Sequence, residues 1–184
     1  HLALTRAEVL AGPLDLSEDV ESFRREVFQN PRDVQTVLAE VANMRARIAS
    51  SKPPESIWEP KVGGGRMQDI ELFAQTGALL SGATARETAQ GLHACVAVGL
   101  ISYADRQVLQ TSYDMCWTLQ LASRLLSQDV LRPAEIGDGA KSFVCRTMGY
   151  EDLTTLENSL TERFKAARDV IDKIVGTGDL GDGK

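Results

Sequence analysis

Histidine, cysteine and aromatic residues are scarce in this chain, and each scarcity closes a line of chemistry. Of 184 residues only two are histidine and three are cysteine. His93 and Cys95 lie two apart, a spacing that sets them on different faces of a helix and argues against a shared zinc ion. Cys95, Cys116 and Cys145 are far apart, odd in number and in no metal-ligand spacing. They imply free thiols in a reducing cytoplasm, and no charged-then-apolar leader opens the chain. No apolar run approaches the roughly 20 residues that a membrane helix needs, so a membrane-spanning protein is not expected. A basic stripe is also missing. With a net charge of −6 and a pI near 5.0, nucleic acid is not an expected partner. Strand-like alternation and internal repeats are absent as well.

What remains is the composition of an ordinary globule, 43% hydrophobic and 25% charged. It is long enough to bury roughly two thirds of its unfolded surface. Helical signals follow one another along the chain. Thr5 to Leu10 reads as the end of an element stopped by Gly12-Pro13, and Ser17 as the cap of a helix running to about Phe28. Asn30-Pro31 reads as cap and first residue of a longer helix with the stripe Val34, Val37, Leu38, Val41, Met44 and Ile48. Three prolines in "SSKPPESIWEP" break it and mark the main hinge. Beyond, helices are expected over Met67–Ser81, Thr84–Val98, Ser102–Ser127, Ala140–Met148 and Leu153–Val175, with Gly82 and Gly99 as stops. The long Ser102–Ser127 helix carries the stripe Val108, Met115, Leu119, Ala122 and Leu126. In the last helix Asp169 and Lys173 are expected to pair four apart. The reading is all-α, a bundle of about six to eight helices. Residues 1–58 are expected to form linking helices, 59–176 the bundle and 177–184 a flexible tail.

The most singular stretch is "KVGGGRMQDIELFAQ", Lys61 to Gln75. Gly63, Gly64 and Gly65 before a helix start can expose backbone N–H groups to a phosphate, with Lys61 and Arg66 adding positive charge. The same glycines can equally give only a sharp turn and a close approach to a neighbour. Spacing alone favours the second reading, because neither a P-loop nor a dinucleotide fingerprint is present. The following helix is apolar around most of its circumference, leaving Gln68, Glu71 and Gln75 as a narrow polar stripe. A buried Glu71 needs a partner; the candidates are Arg45, Arg47 and Arg66.

This stretch resembles the signature Lys-x-Gly-x-Gly-Gly-(Ile/Leu)-x-(Asp/Glu)-Ile-Glu-Phe-x-x-Gln of the glutamine-synthetase adenylyltransferase family. Lys61, Gly63, Gly65, Asp69, Ile70, Glu71 and Gln75 match, while Arg66 stands where a second glycine is usual and Leu72 replaces phenylalanine. "HLALTRAEVLAGP" is similar to the Ala-Leu-x-Arg-Ala-Arg segment that closes the family's nucleotidyltransferase domain, with Glu8 in place of an arginine. "VANMRARI" resembles its Met-Arg helix, and "DLTTLENSLTERFKAARDVIDKIV" its C-terminal helix.

The resemblance implies a helical domain from a large enzyme with two nucleotidyltransferase-like halves, one removing AMP from glutamine synthetase and one adding it. The chain is expected to be the C-terminal helical domain of the adenylylating half, cut from its parent before His1. The parent would use ATP and magnesium, held by a Gly-Ser motif and an Asp-x-Asp pair that do not occur here. Asp69 and Glu71 fall about 200° apart around a helix and cannot share a metal. The fragment is therefore expected to carry no catalytic residue, to bind no cofactor alone and to be inactive in isolation. It would dock on the missing catalytic domain, with Lys61, Gly63, Gly64, Gly65 and Arg66 facing phosphate and with Asp69, Glu71, Gln75 and Arg45 in support. Glutamine synthetase is the implied partner. A regulatory module binding a PII-type signal protein or glutamine is the alternative.

Overall fold

In the computed structural model, which describes residues 2–176, the chain is all-α. Eight helices are present among the described residues: α1 Leu2–Thr5, α2 Leu14–Gln29, α3 Val34–Ser51, α4 Met67–Ser81, α5 Thr88–Ala97, α6 Tyr103–Leu126, α7 Asp138–Met148 and α8 Leu153–Val175. A single 3₁₀ turn, Pro133–Glu135, precedes α7. None of these helices is long and apolar enough to cross a membrane. The expected tail lies outside the described residues, as does His1.

Local chemistry fixes most of the ends. Ser102 and Asp105 cap α6 reciprocally, side chain to backbone in both directions, which satisfies two N–H groups that a helix start leaves open. Asp152 accepts from Thr155 N–H at the start of α8, and Gly82 ends α4 in the left-handed region. Four starts differ from the sequence expectation. Helix α2 begins at Leu14, because Pro13 has a φ of −59° and its carbonyl accepts from Ser17 N–H; Ser17 is already inside the helix. Helix α3 begins at Val34 under the Asp33 carboxylate, which accepts from Thr36 N–H at 2.7 Å. Helix α5 begins at Thr88 under a Glu87–Gln90 box, and α7 at Asp138. The first helix stops at Thr5 and does not continue to Leu10. Buried Arg24 takes the Leu4 and Thr5 carbonyls at 2.9 and 3.0 Å, the acceptors that another turn would need.

Two apolar clusters form the core. One gathers Val37, Leu38 and Val41 of α3, Ile70 and Phe73 of α4, Leu92 of α5, Leu109 of α6, and Ala167, Ile171 and Val175 of α8. The other joins Trp58 and Met67 to Cys116 and Leu119 of α6, Val144 of α7, and Leu156, Leu160 and Phe164 of α8. Helices α4, α6 and α8 run through both clusters and tie them together. Two stripe positions fall outside the core: Val34 is exposed and Val108 gives way to Leu109. On α8, Asp169 pairs with Lys165 at 2.5 Å, not with Lys173.

The tightest helix contact is α4 against α5, and it depends on absent side chains. A Cβ at Gly91 would sit 2.5 Å from the Ala74 carbonyl oxygen, and one at Gly77 would sit 2.3 Å from Cys95 Sγ. Burial pushes the Cys95 thiol up to about 12, so it packs as a small apolar group. Gly91→Ala is expected to cost about 1–3 kcal/mol through overpacking. Gly139→Ala, in α7 with open space around it, should be neutral or gain up to about 1 kcal/mol. Urea denaturation of the two variants against wild type checks the contrast.

Candidate functional site

Residues 50–60 read as a hinge from their prolines, but the fold uses the connection 52–66 between α3 and α4 as a packed strap. Trp58 is buried in the second cluster and its indole N–H donates to Glu157 of α8 at 2.9 Å. Pro60 and Lys61 carbonyls then accept from Met67 and Gln68 N–H at 3.1 and 3.0 Å, so the strap doubles back onto the first turn of α4.

The glycine run is held by both of its backbone groups at Gly65. Gly65 N–H donates to Asp69 Oδ2 at 2.8 Å, and its carbonyl accepts from the buried Ser112 hydroxyl at 3.0 Å. Its φ is +69°, and an added Cβ would lie 2.0 Å from the Phe164 carbonyl oxygen of α8. Glycine at this position is a requirement of packing. Gly64 lies flat against the Arg168 side chain. The N–H groups of Gly63 and Gly64 make no hydrogen bond among the described residues.

Arg66 turns away from the surface where a phosphate would arrive. It is 8% exposed, its guanidinium lies 4.8 Å from the Phe164 ring centroid, and Nη1 donates to the Ser56 carbonyl at 2.8 Å and to that of Glu59. Burial holds its pKa below the usual arginine value. Lys61 is exposed and in no ion pair among the described residues.

Asp69 and Glu71, the two acids of the signature, take opposite sides of α4. Asp69 receives Arg45 through two bonds, Nε to Oδ1 at 2.6 Å and Nη2 to Oδ2 at 3.0 Å. The same Arg45 reaches Asp172 of α8 at 2.8 Å, and Asp172 also takes Arg168 at 3.2 Å. Burial alone would lower the Arg45 pKa, but the hydrogen bonds and charges of Asp69 and Asp172 raise it above the ordinary value. Glu71 does not meet Arg45, Arg47 or Arg66. Its carboxylate binds Arg6 at 3.0 Å and accepts from Tyr113 Oη–H at 3.0 Å. Gln75 shares that side with Arg6 and Arg86 in a shallow depression. Of the four residues expected in support, Asp69 binds the loop directly and Arg45 binds Asp69, while Glu71 and Gln75 lie on the other side of α4.

Between α3, the strap, α4 and α8 opens a cleft of about 550 Å³. Ala42, Ala46, Ile48, Ala49, Pro54 and Leu72 supply its apolar wall. Gly63, Gly64, Arg45, Gln68, Asp69, Arg168 and Asp172 complete the lining. The volume and the mix of apolar wall with a few polar groups are those of small-ligand sites. Gln68 Oε1 is buried with no hydrogen-bond partner among the described residues. Arg168 and Asp172 were not singled out from the sequence, and Gln68 was read only as part of the polar stripe of α4. The i,i+4 spacing of Arg168 and Asp172 was the available signal, one residue ahead of the Asp169–Lys173 pair taken instead. The cleft offers donors, one unpaired acceptor and an apolar surface, but no nucleophile. Cys116 is not part of the cleft lining, and burial pushes its thiol up to about 12.

A family model described as GlnD PII-uridylyltransferase matches residues 37–177, and the chain belongs to that family. Its relatives include the bifunctional glutamine synthetase adenylyltransferase/adenylyl-removing enzymes of Rhodopseudomonas palustris strain TIE-1, Agrobacterium fabrum strain C58 and Rhizobium meliloti strain 1021. They are 29%, 31% and 31% identical over 97%, 97% and 95% of this chain. The matched region is 19%, 19% and 18% of each relative, so the chain spans about a fifth of their length. These relatives carry the name that the glycine signature suggested.

Arg45→Ala would leave Asp69 and Asp172, both largely buried, without their shared cation. Removing one partner of a buried pair costs about 3–5 kcal/mol. Arg6→Ala removes a half-exposed arginine from Glu71 and should cost less than about 1 kcal/mol. Paired urea unfolding curves give both values.

Proposed function

We propose that this chain is the C-terminal helical module of the adenylylating half of a glutamine synthetase adenylyltransferase, and that it supports ATP-dependent transfer of AMP to glutamine synthetase without carrying the catalytic core. The observation that carries this reading is the division of labour within the signature. Asp69 fixes the glycine loop from one side of α4. Glu71 fixes, from the other side, Arg6, which lies in the segment similar to the one that closes the nucleotidyltransferase domain. Helix α4 is thereby a strut between the catalytic domain's end and the loop, and a rigid strut sets where the loop stands relative to a bound nucleotide.

In this role Lys61 and the N–H groups of Gly63 and Gly64 face the nucleotide phosphates, with Arg168 beside them. Gly65 and Arg66 shape the loop and do not contact the ligand. The catalytic domain would supply the carboxylates that hold magnesium, and the metal would neutralise the charge of the transferring phosphate. Asp69 and Glu71 are each committed to an arginine and point apart, so they position and do not ligate. A second reading, a regulatory module that takes glutamine or a PII-type protein, draws on the open cleft of about 550 Å³.

The test uses the longer polypeptide that includes the catalytic domain. Lys61→Ala is expected to raise the KM for ATP several-fold, and Glu71→Gln to lower kcat while leaving the ATP KM near its parent value. Wild-type kinetics from both variants would contradict the proposal. The regulatory reading is separated by calorimetric titration of this chain with glutamine and with purified PII-type protein, where saturable binding lost in Ala46→Trp would favour it.

A further inference from the structure

One face of α2 is left over after the bundle is built. At 100° per residue, Arg24 and Phe28 lie side by side and face the body. Arg24 is fully buried on the Leu4 and Thr5 carbonyls, and Phe28 sits in the first cluster. About a quarter turn away, Leu16, Val20, Phe23 and Val27 form a second apolar line. Leu16, Val20 and Phe23 are 58%, 42% and 55% exposed. Their spacing of four, three and four residues is the seam repeat of paired helices. The exposed part of the line, Leu16 to Phe23, is about 10 Å long at 1.5 Å per residue, two turns of a second helix, and Val27 at its end packs against the first cluster.

The flank of this line away from the body carries Asp15, Asp19 and Glu26. All three are exposed and none is in an ion pair among the described residues. We propose that this face of α2 is a docking surface for a partner's amphipathic helix, apolar on one side and basic along one edge. The apolar line supplies contact and the three carboxylates supply orientation and choice of partner, as edge charges do between paired helices. A second copy of this chain fits poorly. In an antiparallel pair the edge residues meet their own kind, setting Asp19 against Glu26 of the other copy. In a parallel pair they would need Arg24, which is buried and already bonded. An anionic lipid surface is repelled by the same carboxylates.

Two synthetic helical peptides of three heptads test the surface, each with the same leucine seam, one with lysine and one with glutamate on its edges. The readout is calorimetric titration of the 184-residue chain, with circular dichroism confirming that each variant is folded. The lysine-edged peptide is expected to bind at least about tenfold more tightly than the glutamate-edged one, and to lose most of that preference as salt rises from about 50 to 500 mM. Leu16→Ser with Phe23→Ser should abolish binding of both peptides, and Asp19→Lys with Glu26→Lys should remove the preference. The proposal is overturned by any of four results: no binding of either peptide, equal binding of the two, binding that survives the double serine variant, or a concentration-dependent dimer in sedimentation that this variant dissolves.

Discussion

A single carboxylate in the first turn of α4 cannot be buried without partners, and meeting that demand organises the middle of the molecule. Asp69 is 10% exposed and receives three hydrogen bonds, two from Arg45 and one from the Gly65 N–H. Arg45 extends the same charge balance to Asp172 of α8. One ion cluster therefore joins α3, α4, α8 and the glycine loop. Its net worth against an apolar replacement is small in general, but its geometry is specific, because any missing member leaves a buried charge. The loop's remaining anchors, Ser112 on the Gly65 carbonyl and Arg66 on two strap carbonyls, bury polar groups that also require partners.

This arrangement explains why glycine and arginine stand together before α4. Gly65 lets the backbone touch the backbone of α8, where a Cβ has no room. Arg66 then fills the space under the strap and closes it against Phe164. The loop is a packed part of the bundle, and its first half, Gly63 and Gly64 with Lys61 behind them, keeps donors without a partner among the described residues. In the proposed role this restricts phosphate contact to backbone N–H groups and flexible side chains at the rim of the cleft. The arginine that the signature makes conspicuous is structural.

Elements whose ends are written in local chemistry were legible in the sequence. Helix α4 takes the bounds expected of it and stops at Gly82, and α8 takes the expected span Leu153–Val175, with Asp152 as the cap that the structure adds. Elements decided by distant residues were not. The Thr5 carbonyl at the end of α1 meets Arg24, nineteen residues along, and Glu71 finds Arg6 sixty-five residues away. Ser17 and Asn30 are good caps by type, but Pro13 and Asp33 hold the positions that the chain direction requires. At the site, the signature contains both Asp69 and the glycine whose N–H it accepts. It was silent on Arg168 and Asp172, because a cleft wall contributed by another helix leaves no mark on the motif itself.

The claim on which the account rests is that the glycine loop opens only when the ion cluster does. Native-state hydrogen exchange at the Gly65 amide tests it most directly, since that N–H is held by Asp69 alone. Protection matching the core amides of Ile70 and Ile171, and falling to the level of a free loop in Arg45→Gln, is the predicted result. A Gly65 amide that exchanges as fast as Gly64 in the wild-type chain would contradict it, and the loop would then be a mobile element in its own right.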